Sequence, residues 1–388
     1  MNGERAGHYA KQLQGELVYK AFIPKPLPPE PVIQFDAELT NMLSRADQGI
    51  GRLDGILKSI PNPELFVAMY IKKEAVLSSQ IEGTQASLSD VLEKEADILS
   101  GKKDGDVKST LNYIEAMNYG LKRIKELPLS LRLLREIHKI LLTDVRGKDK
   151  TPGEFRTSQN WVGPEGCTLK NAIYVPPPVF EMNEALGALE KYLHTEKKFP
   201  ILVECGLIHY QFETIHPFLD GNGRIGRLLI TFLLCLNEVI SKPILYLSYY
   251  FKKNKTEYYE KLMSVRNSGN WEEWLKFFLN GIVATSDNVV DLSHKITDLQ
   301  KKNKELVRQS MHRYSAKALE LLEKIYIHPV FSVNKAKDIC GISYNAAKGI
   351  IKRFVDLNIV TDKTDKKRNR KYFFKEYIEL LNEGTELR

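Results

Sequence analysis

The sequence predicts a mainly α-helical protein with one β-hairpin near its middle and a smaller unit of helices and strands near its C-terminal end. Apolar residues recur at helical spacing through most of residues 36–312. One block, residues 146–178, interrupts that spacing and is rich in Gly, Pro, Thr and Asn, which is typical of a hairpin with loops. Residues 315–374 then change to short helical patterns, followed by two apolar runs on either side of a basic stretch.

Size and composition set the broad class. The chain has 388 residues, of which 43% are hydrophobic and 27% charged, as in globular proteins of two or three domains. These values exclude collagen-like, wholly disordered and disulfide-scaffold proteins. No apolar run reaches the roughly 18 residues of a transmembrane helix. Because the N-terminus is polar and the four cysteines form no CxxC pair, we expect a cytoplasmic protein with reduced thiols.

The elements of the helical body follow in order. Residues 22–31 are dense in proline and predict an extended arm that drapes over the next domain, the alternative being a free PxxP ligand. Helices are expected within residues 36–98, divided at Pro61 and Pro63, and again at residues 112–124 and 131–142. Residues 161–164 and 172–175 are expected to be the arms of the hairpin. Further helices are expected at residues 182–195, 200–215 and 224–237 and onwards to about residue 284.

A long charged helix over residues 285–312 is expected to connect the body to the last unit, or to pair with a second copy of the chain. We therefore divide the chain into an N-terminal helical region at 1–105, a core at 106–284, a linker helix at 285–313 and a C-terminal unit at 314–388. The C-terminal order of helix, helix, turn, helix and hairpin resembles a winged helix-turn-helix domain. The alternative is a three-helix packing module.

Charge favours a DNA-binding role for this C-terminal unit. Residues 361–371 contain six basic and two acidic residues. Their local net charge of +4 is half of the net charge of +8 of the whole chain. In a winged helix, a basic wing contacts phosphates and the start of the third helix reads bases. The side chains expected to contact DNA are Lys366, Lys367, Arg368 and Arg370 in the wing, and Tyr344, Asn345 and Lys348 in the helix. If the unit only packs, the basic loop is simply solvated.

The segment with the clearest chemistry is His216-Pro-Phe-Leu-Asp-Gly-Asn-Gly-Arg-Ile-Gly-Arg227, between two apolar helices. Its Gly-Asn-Gly turn opens a helix and so exposes backbone N–H groups at the positive end of a helix dipole, which is a site for anions. Arg224 and Arg227 add two positive charges on one side of that helix. Asp220 offers a hard oxygen suited to Mg²⁺ bound jointly with phosphates. His216 is the one base of the segment that is neutral near pH 7.

The 216–227 segment resembles the motif of the Fic family, HPFx(D/E)GNGRxxR, at every fixed position. The resemblance implies a Fic helical core with a hairpin flap, and transfer of AMP from ATP to a Ser, Thr or Tyr hydroxyl of a protein, with Mg²⁺. It implies that His216 deprotonates the acceptor and that Asp220 holds the metal. The remaining nucleotide-binding positions implied by the motif are Gly221, Asn222, Gly223, Arg224, Ile225, Gly226 and Arg227, of which Asn222 and Gly223 would form the anion hole.

A second motif lies upstream. Ser78, Glu82 and Gly83 fit the inhibitory pattern (S/T)xxxE(G/N), and glycine is a natural residue just beyond a helix end. The resemblance implies that Glu82 pairs with Arg227, takes the seat of the ATP γ-phosphate and so leaves the phosphates misplaced for attack. The alternative is a surface glutamate that pairs with Lys72 or Lys73.

The same resemblance extends to two further regions. Residues 160–175 correspond to the flap, whose edge would pair with the backbone of the target. Tyr258 or Tyr259 and Asn267 resemble the residues that enclose adenine and ribose. The flap residues expected over the nucleotide are Val162, Gly163 and Pro164.

Several functional alternatives stay open. Within this fold the reaction could instead be removal of AMP by means of Glu82, or transfer of another phosphate-containing group. A different class of protein would be a DNA-bound regulator that uses the nucleotide site as a sensor. The chain has no GxxxxGK(S/T), HExxH or GxSxG motif, so other common enzyme classes find no support. The expected partners are ATP, a protein target, DNA and a second copy of the chain, with no membrane.

Overall fold

The computed structural model describes residues 4–13, 18–60, 63–96, 104–145, 147–164, 166–311, 315–362 and 370–387. Within these residues the architecture is mainly helical, as the sequence predicts. Among the described residues, one small antiparallel sheet lies near each end of the sequence, and a single β-bridge lies between them in sequence. None of the described helices is both long enough and apolar enough to cross a membrane.

The N-terminal region opens with a hairpin that the helical pattern did not predict. Strands β1 (Gly7–Gln12) and β2 (Tyr19–Pro24) pair antiparallel, with Ala10 opposite Ala21. Residues 22–24 of the proline-dense segment are thus part of a β-strand, whereas the sequence predicts an extended arm draped over the next domain. Phe22 is fully buried and its N–H donates to Val175 O at 2.9 Å, which ties the hairpin to the middle of the chain.

Three helices then form the rest of the N-terminal region: α1 (Ala37–Ser59), α2 (Pro63–Ile81) and α3 (Leu88–Glu95). Helix α2 is buried along nearly all of its length, because the core helices pack around it. It ends one residue before Glu82, and Gly83 has φ +93°, the left-handed backbone expected of a glycine beyond a helix end.

The core contains helices that bring the 216–227 segment to the centre of the molecule. Its central pair is α7 (Ile201–Ile215), buried from Leu202 onwards, and α8 (Asn222–Leu236), which pack against each other. A helix this apolar all round is a core helix rather than an amphipathic surface helix. The other core helices are α4 (Asp104–Arg123), α5 (Leu131–Leu141), α6 (Val179–His194), α9 (Ser248–Lys253) and α10 (Lys255–Ser268).

The long helix differs from the sequence expectation in where it begins. Helix α11 runs without a break from Trp271 to Ser310, across the boundary expected at residues 284–285. It packs along α1, and most of its apolar residues from Trp271 to Val307 are buried. The segment expected to be a separate linker is therefore the second half of a helix whose first half belongs to the core.

The C-terminal unit contains the three helices and two hairpin strands in the expected order, and in addition a strand, β3, and a final helix, α15, that the sequence did not predict. Strand β3 pairs with β5, and β5 pairs with β4, to form a three-stranded antiparallel sheet beside the helices. The winged helix interpretation stays a prediction, and residues 363–369 of the basic run lie outside the described residues. The elements are α12 (Ser315–Ile325), β3 (Val330–Ser332), α13 (Val333–Cys340), α14 (Tyr344–Asp356), β4 (Thr361–Asp362), β5 (Lys371–Phe373) and α15 (Lys375–Asn382).

Candidate active site

His216 lies at the point where α7 ends. Its backbone is left-handed (φ 49°, ψ 59°), and its N–H donates to Phe212 O at 3.0 Å. Nδ1 lies 3.3 Å from Glu213 O, a contact that requires the proton on Nδ1 and leaves Nε2 as the base. Burial lowers the pKa of His216 to about 4, although the carbonyl of Glu213 and the charge of Glu82 act in the opposite direction. The ring is therefore neutral near pH 7, as a proton acceptor must be.

Two side chains that the sequence patterns missed hold the backbone around His216. Arg156 is almost fully buried, and its Nε donates to His216 O at 3.0 Å. Asn160 Nδ2 donates to Phe218 O at 2.9 Å and contacts His216 O at 3.3 Å. Both residues belong to the non-helical block, in which a lone buried arginine has no sequence signature. The left-handed turn at His216 is thus fixed from outside the 216–227 segment.

The start of α8 has the geometry of an anion site. Gly221 has φ +81° and turns the chain into the helix. The amides of Asn222, Gly223 and Arg224 have no acceptor in the described part of the chain, so they point out of the helix end unpaired. The side chain of Asn222 does not belong to this site: its Oδ1 accepts from Phe218 N–H at 2.8 Å and its Nδ2 donates to Phe218 O at 2.7 Å. The expected anion hole is therefore made by backbone, and the Asn222 side chain braces the loop.

The carboxylate of Glu82 lies at this helix end. Arg227 donates from Nη2 to Glu82 Oε1 at 2.7 Å and to Ser78 O at 3.0 Å, and from Nε to Ser78 Oγ at 2.8 Å. Gly223 is required beneath it, because a Cβ at that position would overlap Glu82 Oε1. Glu82 therefore pairs with Arg227 and with neither Lys72 nor Lys73: Lys72 bonds Glu95, and Lys73 Nζ has no hydrogen-bond partner among the described residues.

The electrostatics of this pair favour the charged carboxylate. Burial alone would raise the pKa of Glu82, but Arg227, and behind it Arg224 and His216, outweigh burial and lower it. The Arg227 side chain is 2% exposed, whereas that of Glu82 is 35% exposed. The arginine is thus part of the core, whereas the glutamate lies on its solvent-exposed side.

Asp220 and Arg224 form the other edge of the site. Asp220 Oδ1 accepts from Gly221 N–H at 2.6 Å and from Arg224 Nη2 at 3.3 Å, which leaves Oδ2 beside Gly147. Arg224 Nη1 donates to Ser109 Oγ at 3.0 Å, and its buried Nε has no partner among the described residues. His138 supports Asp220 from behind, because Gly153 N–H donates to its Nδ1 and its Nε2 donates to Asp220 O at 3.0 Å.

The adenine candidates separate into a core residue and an exposed residue. Tyr258 is 1% exposed, and its hydroxyl donates to His209 Nε2 at 2.9 Å, so it is part of the core. Tyr259 is 40% exposed, and its ring centroid lies 5.1 Å from that of Tyr258. Asn267 Oδ1 accepts from Tyr9 in the N-terminal hairpin at 2.9 Å. Ile225 is fully buried, so its side chain is not open to a ligand.

The flap is more exposed than the 216–227 segment. Among its described residues one bridge joins the two arms, in which Val162 and Tyr174 exchange hydrogen bonds of 2.8 and 3.1 Å. Gly163 and Pro164 are exposed, as are the apolar side chains of Trp161 (42%) and Ile173 (62%). A groove of about 520 Å³ lies between the flap and the N-terminal hairpin, lined among others by Tyr19, Lys20, Leu169, Lys170 and Ile173.

The residues expected to contact DNA are far from this site in the sequence, and only some are described. Ser343 caps α14 by accepting from Ala346 N–H at 3.2 Å. Tyr344 is 48% exposed, and Asn345 and Lys348 are also exposed on this first turn. Arg370 bonds Asp362 at 3.0 Å across the strands β4 and β5. Lys366, Lys367 and Arg368 lie outside the described residues.

Comparisons with known proteins point to one family. Residues 40–122 match the model of the Fic/DOC family N-terminal region, and residues 128–234 match the model of the Fic/DOC family. A probable protein adenylyltransferase of Aquifex aeolicus is 29% identical over 184 residues, which cover 46% of this chain and 52% of that protein. The protein adenylyltransferase Fic of Drosophila grimshawi is 28% identical over 227 residues, or 56% of this chain and 43% of that protein. The match thus spans about half the length of these relatives.

The fold has a counterpart among solved structures. The crystal structure of a Fic family protein from Desulfovibrio desulfuricans G20 superposes with a TM-score of 0.58 and 17% sequence identity. The superposition covers 88% of this chain and 97% of that one. The helical architecture with its small hairpin is therefore that of a Fic family protein.

Proposed function

Because the chain belongs to the Fic/DOC family, we propose that it is an auto-inhibited protein adenylyltransferase, which transfers AMP from ATP to a hydroxyl of a target protein and of itself. The observation that carries the proposal is the Glu82 carboxylate at the N-terminal end of α8, bonded to the buried Arg227. A helix end with unpaired amides and two arginines is built for phosphate oxygens. A carboxylate in that place competes with them.

The chain's own groups account for the chemical step. His216 Nε2 takes the proton of the acceptor hydroxyl as its oxygen attacks the α-phosphorus of ATP. The bond from that phosphorus to the oxygen bridging to the β-phosphorus breaks, and pyrophosphate leaves. The amides of Asn222, Gly223 and Arg224 stabilise negative charge on the phosphates, with Arg227 beside them. Most of the rate enhancement then comes from positioning and from fixed charge.

The donor set fits Mg²⁺ held together with the nucleotide. Among the described residues no group of three or more His, Cys, Asp or Glu could hold a metal ion, so the protein alone supplies no complete site. Asp220 offers a single hard oxygen ligand, Oδ2, at the edge of the phosphate site. Magnesium commonly takes one or two carboxylates and completes its shell with phosphates and water. It would supply charge neutralisation at the phosphates.

The proposal is tested by following the α-phosphate of ATP. The wild type, Glu82→Gly and Glu82→Gly/His216→Ala are incubated with Mg²⁺ and ATP labelled at the α-phosphorus, and protein adducts are identified by mass spectrometry. We expect AMP adducts that are strong in Glu82→Gly, weak in the wild type and lost in the double variant. Absence of an AMP adduct on any protein, with native folding shown by circular dichroism, would refute adenylyl transfer.

Removal of AMP is a second candidate, favoured by the partial exposure of Glu82. A carboxylate that is 35% exposed and interacts electrostatically with His216 can also orient a water molecule. This function predicts release of AMP from a pre-modified protein by the wild type and loss of that release in Glu82→Gly. If Glu82→Gly releases AMP as fast as the wild type, the second candidate is wrong.

A DNA-bound regulator is the candidate from another class, favoured by the exposed first turn of α14. It predicts duplex binding that weakens with salt and that changes when ATP is added. The variant Tyr344→Ala with Lys348→Ala should then lose DNA binding and keep adenylyl transfer. Salt-insensitive or absent DNA binding by the wild type would contradict this role.

A further inference from the structure

The last turn of α2 is bonded to the C-terminal end of the chain. Gln80 lies two residues before Glu82, and its Nε2 donates to Ala86 O at 2.8 Å and to Thr385 O at 2.9 Å. Its Oε1 accepts from Lys252 Nζ at 2.6 Å. All three polar contacts of this one side chain thus depend on groups outside α2, and one of them belongs to residues 384–386, which we call the C-terminal tail.

Lys252 joins the tail to the helix. Besides Gln80 it donates to Glu386 O at 2.8 Å and to Gly384 O at 3.4 Å. Gly384 has φ +83°, and a side chain there would overlap the ring of Tyr249. The tail therefore follows a path that only glycine permits at this point, with its carbonyls turned toward one ammonium group.

The tail is itself anchored. Thr385 is 1% exposed, and its N–H donates to Asn382 O at 2.8 Å at the end of α15. Asn382 Nδ2 donates to Ser89 Oγ in α3 at 3.1 Å. The tail contacts α2 and the preceding end of α15 contacts α3, so together they connect the C-terminal unit with the helices on both sides of Glu82. Two elements that are about 300 residues apart in sequence share one hydrogen-bonded cluster.

The position of this cluster matters because Gln80 lies in the last turn of α2, two residues before Glu82. Its N–H donates to Ser79 O at 3.1 Å, and Lys255 Nζ donates to Ile81 O at 2.6 Å at the negative end of the helix. A displacement of this last turn would lengthen the 2.7 Å bond between the carboxylate and Arg227. The contacts of Gln80 therefore support the inhibitory ion pair, together with the bonds from Arg227 to Ser78.

We propose that the C-terminal tail is a clasp that positions Glu82 on Arg227, so that displacement of the tail from Gln80 and Lys252 activates the enzyme. The proposal rests on the proposed function, whose regulation it specifies. It assigns Gln80, Lys252 and the tail as positioning elements, which contact neither ATP nor the acceptor. It also gives the C-terminal unit a route to the active site, because a ligand that moves α15 moves the tail.

The test compares label transfer from ATP by the full chain, by a chain lacking residues 384–388 and by Lys252→Met. Lys253→Met is the matched control, since the neighbouring lysine is exposed and contacts neither the tail nor Gln80 among the described residues. Both tail variants should label themselves about tenfold faster than the wild type, the factor expected when one charge-assisted hydrogen bond no longer favours the closed state. The control should label at the wild-type rate.

The same variants are made in the Glu82→Gly background. There the tail variants should add nothing, because the ion pair that the clasp maintains is already gone. Wild-type rates in the tail variants beside a fast Glu82→Gly would overturn the clasp alone, whereas a slow Glu82→Gly would refute the proposed function and the clasp with it. Hydrogen exchange gives a readout without activity: tail deletion should speed exchange of the amides of residues 79–84, and unchanged exchange would contradict the proposal.

Discussion

The 216–227 segment and the flap both belong to the candidate site, but they are held in different ways. In the segment, His216, Asp220, Asn222 and Arg227 each have polar contacts that fix their geometry. The flap has one bridge, at Val162 and Tyr174, and exposes apolar side chains at both of its arms. Under the proposed function, the first region would be preorganised for the chemical step, and the second would adapt to a protein target.

This difference predicts how strongly substitutions in each region should affect the reaction. In the segment a single substitution removes a group that no neighbour can replace, so effects on the chemical step should be large. In the flap the binding energy is spread over a surface, so effects should be smaller and should appear with protein targets only. The predictions below run from the largest expected effect to the smallest.

The largest effect is expected for the base. In the Glu82→Gly background, His216→Ala should lower the rate of AMP transfer by roughly 10²–10⁴-fold, because the proposed general base is removed. His194→Ala, an exposed histidine at the end of α6, is the control and should leave the rate unchanged. Single-turnover labelling measures both. A loss of less than about tenfold in His216→Ala would mean that another group takes the proton.

The second-largest effect is expected for Asn222, whose side chain braces the loop. Asn222→Ala removes both hydrogen bonds to Phe218, so the turn that presents the amides of α8 loosens, and transfer should fall roughly 10–100-fold in the Glu82→Gly background. Asn222→Asp keeps the acceptor for Phe218 N–H and should lose less. If the two variants are equally active, the side chain does not act as a brace.

Acidification should reduce the stability that the buried His209 provides to the start of α8. His209 donates from Nδ1 to Gly226 O and accepts from Tyr258, and burial lowers its pKa to about 3. Between pH 7 and pH 5 the unfolded state gains a proton on this histidine and the folded state does not, so stability is lost as the pH falls. The loss of unfolding free energy caused by His209→Gln should thus be roughly 2 kcal/mol smaller at pH 5 than at pH 7. Urea denaturation at both pH values measures it, and an unchanged cost would contradict the burial of a neutral ring.

The smallest effect is expected in the flap. Ile173→Ser removes an exposed apolar side chain from the groove and should lower transfer to a protein target by roughly threefold, with ATP binding unchanged. Phe180→Ser removes an even more exposed ring at the start of α6, outside the groove. It should change neither transfer to the protein target nor ATP binding. Target-labelling kinetics and ATP titration calorimetry separate the two effects. A changed ATP affinity in Ile173→Ser would show that the flap also serves the nucleotide.

The sequence predicted the segment well because its chemistry is contiguous. Twelve neighbouring residues supply the base, the carboxylate, the amides and both arginines, and their backbone demands are visible as glycines. The pairing of Glu82 with Arg227 could be expected only from the family resemblance, since 145 residues separate the two.

Other parts could not be read from local patterns. Arg156 and Asn160 act through tertiary contacts to the carbonyls of His216 and Phe218, which leave no periodic signal. The strand β2 was hidden because its pairing with β1 overrides a proline-dense composition just beyond it. The start of helix α11 was predicted too late in the chain, at residue 285 instead of Trp271. The proportion of charged residues increases after residue 284, whereas the buried face of the helix continues across that point.

The central claim is that the charge of Glu82, at the anion site of α8, restrains transfer. Its most direct test is the rate of self-labelling from ATP in the wild type, Glu82→Gln and Glu82→Gly. Glutamine keeps the shape of the side chain but loses the ion pair with Arg227, so the account predicts a rate for Glu82→Gln well above the wild type and below Glu82→Gly. Equal rates in all three proteins would contradict the account.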